Sequence, residues 1–196
     1  MYMACQFLFK TTNRGLTWTR ISPDLTTNDP LKQKQEESGG VTTDNSSAEN
    51  HCTIFTLTEQ PGDGNTIWVG TDDGNIQLTT DGGKNWIKMN PIVTGLPANC
   101  WVSSIEPSRF DANTVYVTLD NHMYGDMNTY LIVTHDKGKT WSMLNTLELH
   151  AGYAHKIRED VVSSNLLFLG TEFGLYISVD KGASWAQFNA KVPNVA

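Results

Sequence analysis

One short turn recurs four times along the chain, and that recurrence restricts the fold more than any other feature. TTNRGLTW (11–18), TTDGGKNW (79–86), THDKGKTW (134–141) and SVDKGASW (178–185) share the order Ser/Thr-x-Asp/Asn-x-Gly-x-Ser/Thr/Asn-Trp. Each turn closes a longer repeating unit. NTIWVGTDDGNIQLTTDGGKNW (65–86) aligns with NLLFLGTEFGLYISVDKGASW (165–185): asparagine, apolar run, Gly-Thr, acid, glycine, second apolar run, aspartate turn, tryptophan. A third copy opens at NTVYVTLD (113–120) and resumes at TYLIVTHDKGKTW (129–141) after an insertion. Cys52 and Cys100 stand thirteen residues before Asn65 and Asn113, and Gly152 stands as far before Asn165. This brings Leu57, Ile105 and Ile157 into register, with offsets between units of 48 and then 52 residues.

Each complete unit holds four short runs rich in Val, Ile, Thr, Trp and Phe, separated by Gly/Asp/Asn turns. In the second unit they fall at 53–58, 66–70, 76–79 and 86–89. No segment has a helical period. A repeat of ~40–50 residues with four strands predicts an all-β chain of four-stranded antiparallel β-propeller blades, the aspartate turns joining third to fourth strands. A β-sandwich also has short strands, but it does not predict sequence repetition at this spacing. The units predict a partial blade at 1–22 with strands at 6–11 and 17–21, a polar insertion at 23–51, and blades at 52–90, 100–145 and 152–189. A further connection begins at 190–196, so the whole of 1–196 reads as one β-propeller segment of about three and a half blades. Closed propellers use about 4–8 blades. The chain therefore reads as part of a larger propeller, or as a half that closes on a second copy. Its open edges predict homo-oligomeric association rather than a stable monomer.

Within the turn, Asp81, Asp136 and Asp180 can accept hydrogen bonds from backbone N–H groups of their own turn. Gly15, Gly83, Gly138 and Gly182 supply positive φ. Trp18, Trp86, Trp141 and Trp185 start the outer strands, where each ring can pack between blades and bury ~150–250 Å². Asn13 replaces the acid in the first copy, which a turn brace tolerates and a catalytic acid does not. The expected role of these residues is structural.

The turn resembles the Asp-box (BNR) repeat of sialidases, xyloglucan-degrading glycosidases, sortilin-type receptor domains and a photosystem assembly factor. GTDDGNIQLTTDGGKNW (70–86), NLLFLGTEFGLYIS (165–178) and ISPDLTTNDP (21–30) are most similar to large bacterial proteins described as glycosyl hydrolase-like or sortilin-like. The resemblance implies a propeller, and with it a glycan or protein ligand or glycosidase chemistry. A sialidase would need three arginines to clamp a substrate carboxylate. Of Arg14, Arg20, Arg109 and Arg158, only Arg158 is expected to look inward, so sialidase activity is not expected here.

In an up-and-down blade the aspartate turns occupy one face, and the loops from strand two to three and from blade to blade occupy the other. The second face collects TDDG (71–74), LDNHMYGDMN (119–128), TEFG (171–174) and the stretches 23–51, 90–99 and 145–151, which makes it the expected binding face. Its chemistry is acidic: Asp72, Asp73, Asp120, Asp126 and Glu172, with His122 among them. Asp72 and Glu172 hold equivalent places in two blades. Paired carboxylates are what glycoside hydrolysis needs, about 5–9.5 Å apart. Acid-glycine turns are equally ordinary hairpin chemistry, as in Asp73-Gly74. Arg158 and Glu106 are equivalent on adjacent inner strands, which suits an inter-blade ion pair or a substrate contact. Glu49 and His51 close the polar insertion beside the same face.

A formal charge of −7 argues against nucleic acid, which would need a basic stripe. No apolar run approaches the ~20 residues that span a bilayer. MYMACQFLFK lacks a signal peptide's features; the compartment stays open, with a secreted or periplasmic parent favoured. Cys5, Cys52 and Cys100 have no zinc spacing and read as buried free thiols, and no metal or cofactor is expected. Two function classes follow. The favoured one is a module binding protein or glycan through the long-loop face. The alternative is a fragment of a xyloglucanase-like glycoside hydrolase using paired carboxylates such as Asp72 and Glu172.

Overall fold

The computed structural model describes residues 1–34, 51–144 and 151–189. It is all-β, with one three-stranded and three four-stranded antiparallel sheets. Blade one holds β1 (Tyr2–Ala4), β2 (Leu8–Lys10) and β3 (Thr19–Arg20). Blade two holds β4 (Ile54–Gln60), β5 (Asp63–Thr71), β6 (Ile76–Thr79) and β7 (Ile87–Met89). Blade three holds β8 (Trp101–Pro107), β9 (Val115–Asn121), β10 (Asp126–Thr134) and β11 (Ser142–Met143). Blade four holds β12 (Ala154–Glu159), β13 (Leu167–Thr171), β14 (Gly174–Ser178) and β15 (Ala186–Gln187). Strands pair strictly with their sequence neighbours, the meander of a propeller blade.

Two local expectations change. Blade one has three strands rather than two, because Tyr2-Met3-Ala4 pairs with Leu8–Lys10. Three residues are too few to register as an alternating pattern. The insertion at 119–128 is also more ordered than a plain loop. It prolongs β9 and β10 and turns over a single 3-10 turn, His122–Tyr124, ended by Gly125 at φ 78°. Asp126 locks that turn, accepting from Asn121 Nδ2 (3.1 Å), Asn128 N (3.1 Å) and Tyr130 Oη (2.7 Å).

The cores lie between blades rather than within them. Leu8, Leu25, Ile67 and Val69 join blades one and two, with Ile21 and Trp86 packed against them. Trp68, Ile76 and Leu78 meet Ile105, Val115 and Val117 between blades two and three. Tyr116, Leu131 and Val133 meet Ile157, Leu167 and Leu169 between blades three and four. Alternation along each strand sends one side chain to each neighbouring blade, so both faces of an interior blade are apolar. Cys52 and Cys100 are buried free thiols, whereas Cys5 is exposed.

The aspartate turns stitch these interfaces. Asp136 Oδ1 accepts from Thr134 Oγ1 (2.8 Å) and Thr140 N (2.8 Å), and its Oδ2 accepts from Thr140 Oγ1 (2.6 Å). Asp81 and Asp180 repeat the pattern with Thr79 and Asn85, and with Ser178 and Ser184. Asn13 keeps the backbone half, accepting from Thr17 N at 2.9 Å, and donates from Nδ2 to Thr17 Oγ1 at 2.8 Å. The turn glycine then abuts the preceding blade. A Cβ on Gly138 would lie 2.8 Å from Met89 Sδ, and one on Gly83 2.5 Å from the Ile21 carbonyl oxygen. Trp86 Nε1 donates to that same oxygen at 2.9 Å, and the Trp141 ring meets Trp68 edge-on at 6.5 Å.

Candidate functional site

The opposite rim is where the inner strands begin and the second strands end. Equivalent positions there carry different side chains in each blade, on one backbone framework. The inner strand of each complete blade has a β-bulge near its start. Register slips between Ile54 and Thr56, between Val102 and Ser104, and between Ala154 and Lys156. The extra residues are therefore Phe55, Ser103 and His155. A bulge re-aims its extra side chain instead of pairing it. Phe55 and His155 are exposed on the rim, while Ser103 turns inward to Thr118 Oγ1 (2.9 Å) and the Ala154 carbonyl (2.7 Å).

Two residues before each bulge stand Thr53, Trp101 and Tyr153, and across from them, within one residue of the ends of the second strands, stand Asp72, Asp120 and Glu172. In blade two, Asp72 accepts from Thr53 N (2.8 Å) and Thr53 Oγ1 (2.9 Å). Burial pushes the Asp72 carboxyl above the ordinary range, against the pull of the Thr53 bonds and of His51. In blade three, Asp120 accepts from His122 N (2.8 Å) and meets His122 Nδ1 at 2.7 Å. In blade four, Glu172 lies 3.3 Å from His155 Nε2. The Tyr153 hydroxyl and His155 hold its carboxyl below the usual range by hydrogen bonding.

The aromatic rings of this rim touch. Phe55 meets Trp101 edge-on at 4.8 Å between centroids, linking blade two to blade three. His122 stacks on Tyr153 at 4.2 Å and 18°, linking blade three to blade four, and Tyr153 meets His155 at 4.7 Å. The result is a run of partly exposed rings in two groups, Phe55 with Trp101 and His122 with Tyr153 and His155, with the Asp120 and Glu172 carboxylates beside the second.

The other residues singled out from sequence sit elsewhere or serve the framework. Asp73 is buried and accepts from Thr27 N (2.6 Å), Thr27 Oγ1 (2.8 Å) and Thr71 Oγ1 (2.5 Å), which ties the segment after blade one to blade two. Burial pushes the Asp126 carboxyl up, but bonds from Asn121, Tyr130 and Asn128 outweigh it and leave it lowered. Arg158 pairs with Glu106 across blades three and four at the exposed inner-strand surface, away from the ring run. The buried His51 Nε2 has no hydrogen-bond partner among the described residues, and Glu49 lies outside them. Asp72 and Glu172 share no partner, and blade three stands between their blades. The sequence singles out these carboxylates and His122 but not the neighbouring Phe55, Trp101, Tyr153 and His155. Their signal was positional: they stand one and three residues after the aligned Cys52, Cys100 and Gly152.

Among the described residues no three His, Cys, Asp or Glu side chains converge as a metal site, and no helix is long and apolar enough to cross a membrane. No protein-family model and no curated protein matches the sequence. Solved structures match it in fold. An ancestral GH74 enzyme superposes over 97% of the chain with a TM-score of 0.68 at 18% identity, although the chain covers 22% of that protein. The GH74 xyloglucanase of Xanthomonas campestris matches 98% of the chain, with a TM-score of 0.64, 14% identity and 29% of its own length covered. YCF48 bound to D1 peptide matches 68% of the chain, with a TM-score of 0.54, 18% identity and 40% of its own length covered. The chain thus spans well under half of these neighbours, and what they share with it is the β-propeller fold.

Proposed function

We propose that this chain is a glycan-binding segment of a β-propeller, with its site on the rim opposite the aspartate turns. The observation that carries the reading is the repeated bulge, which turns Phe55 and His155 outward beside Trp101, Tyr153 and His122. Ring faces take the apolar C–H faces of pyranoses, and neighbouring carboxylates accept from sugar hydroxyls. Asp120 and Glu172 are suited to the second task because each is held in place by an imidazole. A neutral β-glucan fits this rim better than an anionic ligand, since the carboxylates would repel the latter. The GH74 neighbours, one of them described as a xyloglucanase, support the choice of xyloglucan and cello-oligosaccharides as first probes.

Titration calorimetry with those oligosaccharides tests the reading. Binding is expected, with Trp101→Ala and Tyr153→Ala each weakening it at least tenfold. No binding to either glucan, or binding indifferent to both variants, sinks it. Capture of a peptide instead would favour the protein-binding alternative, which the peptide-bound YCF48 structure keeps in view.

One observation favours a catalytic second reading: Asp72 is pushed up while Glu172 is held down, the split expected of a proton donor and its ionised partner. Against it, each acid is satisfied within its own blade. Turnover of xyloglucan lost in Asp72→Asn or Glu172→Gln would decide for catalysis.

A further inference from the structure

At the junction of blades three and four, two buried hydroxyls of blade three close on the backbone at either side of Tyr153. Thr129 Oγ1 donates to the Gly152 carbonyl at 2.6 Å, and Ser103 Oγ donates to the Ala154 carbonyl at 2.7 Å. Thr118 Oγ1, 2.9 Å from Ser103 Oγ, completes the hydrogen bonding of that serine. The Tyr153 carbonyl between them accepts from Glu172 N at 3.1 Å. Three consecutive carbonyls are thus held, the outer two by the preceding blade.

The junction of blades two and three has the same framework with other residues at both positions. β5 and β6 pair Ile67 with Thr79, and β9 and β10 pair Val115 with Thr134, so Gly74 stands where blade three has Thr129. A Cβ on Gly74 would lie 3.2 Å from the carbonyl oxygen of Cys100, the counterpart of Gly152. Blade three therefore places a hydroxyl where blade two makes a bare backbone contact. Phe55 holds the bulge position of Ser103, and it reaches Trp101 with its ring instead of bonding a carbonyl.

Tyr153 is the ring that His122 covers, at 4.2 Å and 18°, and its hydroxyl is hydrogen-bonded to Glu172. Ser103 is 9% exposed and Thr129 4%, so neither is placed to touch a molecule bound at the rim. What they govern is the position of Tyr153, because both carbonyls flanking it are tied to the blade that carries His122 and Asp120. A ring already held in its binding orientation loses less freedom when a ligand arrives.

We propose that Ser103 and Thr129 are positioning residues of the ring site, acting through Tyr153. From within blade three they clamp its backbone on both sides and so hold its ring against His122. Their effect on affinity rests on the glycan reading of this rim, whereas their effect on ring geometry needs no ligand. Ser108 supplies the comparison with a hydroxyl that only joins blades. Its Oγ donates to Glu159 Oε1 at 2.8 Å across the same interface, but at the end that carries the aspartate turns.

Side-chain NMR of the labelled 196-residue chain reads the geometry, and titration calorimetry with xyloglucan and cello-oligosaccharides reads the affinity. Stacking shifts the His122 ring signals, and Tyr153→Leu gives their unstacked position. Ser103→Ala and Thr129→Val should each move the signals towards that position and weaken binding about fivefold or more. Thr129→Ser, which keeps the hydroxyl, should do neither, and nor should Ser108→Ala. Thermal melts by circular dichroism control for folding, and the two Thr129 variants decide the matter if Ser103→Ala does not fold. His122 signals unmoved in Ser103→Ala and Thr129→Val would overturn the proposal. Equal shifts in Thr129→Ser or Ser108→Ala would overturn it as well, as would shifted signals with unchanged affinity. A wild-type chain that binds neither glucan, with the shifts still present, would sink the glycan reading while supporting the clamp.

Discussion

The two rims of this propeller segment use the same residue type for opposite ends. On one, Asp81, Asp136 and Asp180 spend their hydrogen-bonding capacity on their own turns, and those bonds hold each carboxyl down to about 2. On the other, Asp72, Asp120 and Glu172 occupy equivalent positions but have unlike partners: a threonine, a histidine, and a tyrosine with a histidine. Chemistry that repeats unchanged from blade to blade maintains the fold. Chemistry that varies on a repeated backbone is where specificity can reside. Asn13 supports the first half of this contrast, since the turn survives loss of its charge.

The largest expected effect tests the turn rim. Gly138→Val places a branched Cβ against Met89 Sδ at a φ of 84°, where side chains are strained, and should destabilise the fold by about 3 kcal/mol or more by urea denaturation. By contrast Tyr153→Ala and His155→Ala, on partly exposed rim positions, should stay within about 1 kcal/mol of wild type. Equal losses at both rims would dissolve the contrast.

Next comes a test within the rim opposite the aspartate turns, between two adjacent acids. Asp73→Ala strands the N–H and hydroxyl of Thr27 and should cost about 1–3 kcal/mol in the same assay, with little change in glycan affinity. Asp72→Asn keeps an acceptor for Thr53 N and should be nearly neutral in stability at pH 7.

Acid separates the rims by sign. The turn aspartates have lowered folded pKa values, so the stability they contribute is present above the ordinary carboxylate range and is lost as pH falls towards about 2. Asp72 has a raised value, so its unfavourable contribution at neutral pH is relieved as pH falls through that value. Urea midpoints measured from pH 7 down to pH 2 should fall less steeply at the acid end in Asp136→Asn. In Asp72→Asn the relief at mildly acid pH should vanish. The reverse assignment would show that the two carboxylate environments have been misread.

The smallest effect concerns the variant turn. Asn13→Asp should change stability by under about 0.5 kcal/mol at neutral pH, because the backbone bond from Thr17 is already made. A larger gain would mean that charge, not geometry, is what the other three turns select.

Much of the fold was legible because its repeats are local. Strand, turn and tryptophan recur at fixed spacing, and each blade is a chain of neighbouring hairpins. What escaped was too short or too dependent on register. The strand Tyr2–Ala4 has no pattern of its own, and the third-strand partner makes it visible. Phe55 and His155 look like ordinary inner-strand residues until the bulge shows that neither pairs across the ladder. Asp73 looked like a rim acid, but its environment is set by Thr27, 46 residues away. Asp126 looked like a ligand-facing acid and braces its own turn.

By itself, then, the sequence determined the period, the four strands of each complete blade and the identity of the turn braces, because these depend on residues a few positions apart. The tertiary structure decided which equivalent residues face outward, and which carboxylate is pushed up and which is held down. Those properties depend on bulges, buried contacts and ring stacking, which bring together side chains such as Phe55 with Trp101 and His122 with Tyr153 that are distant in sequence.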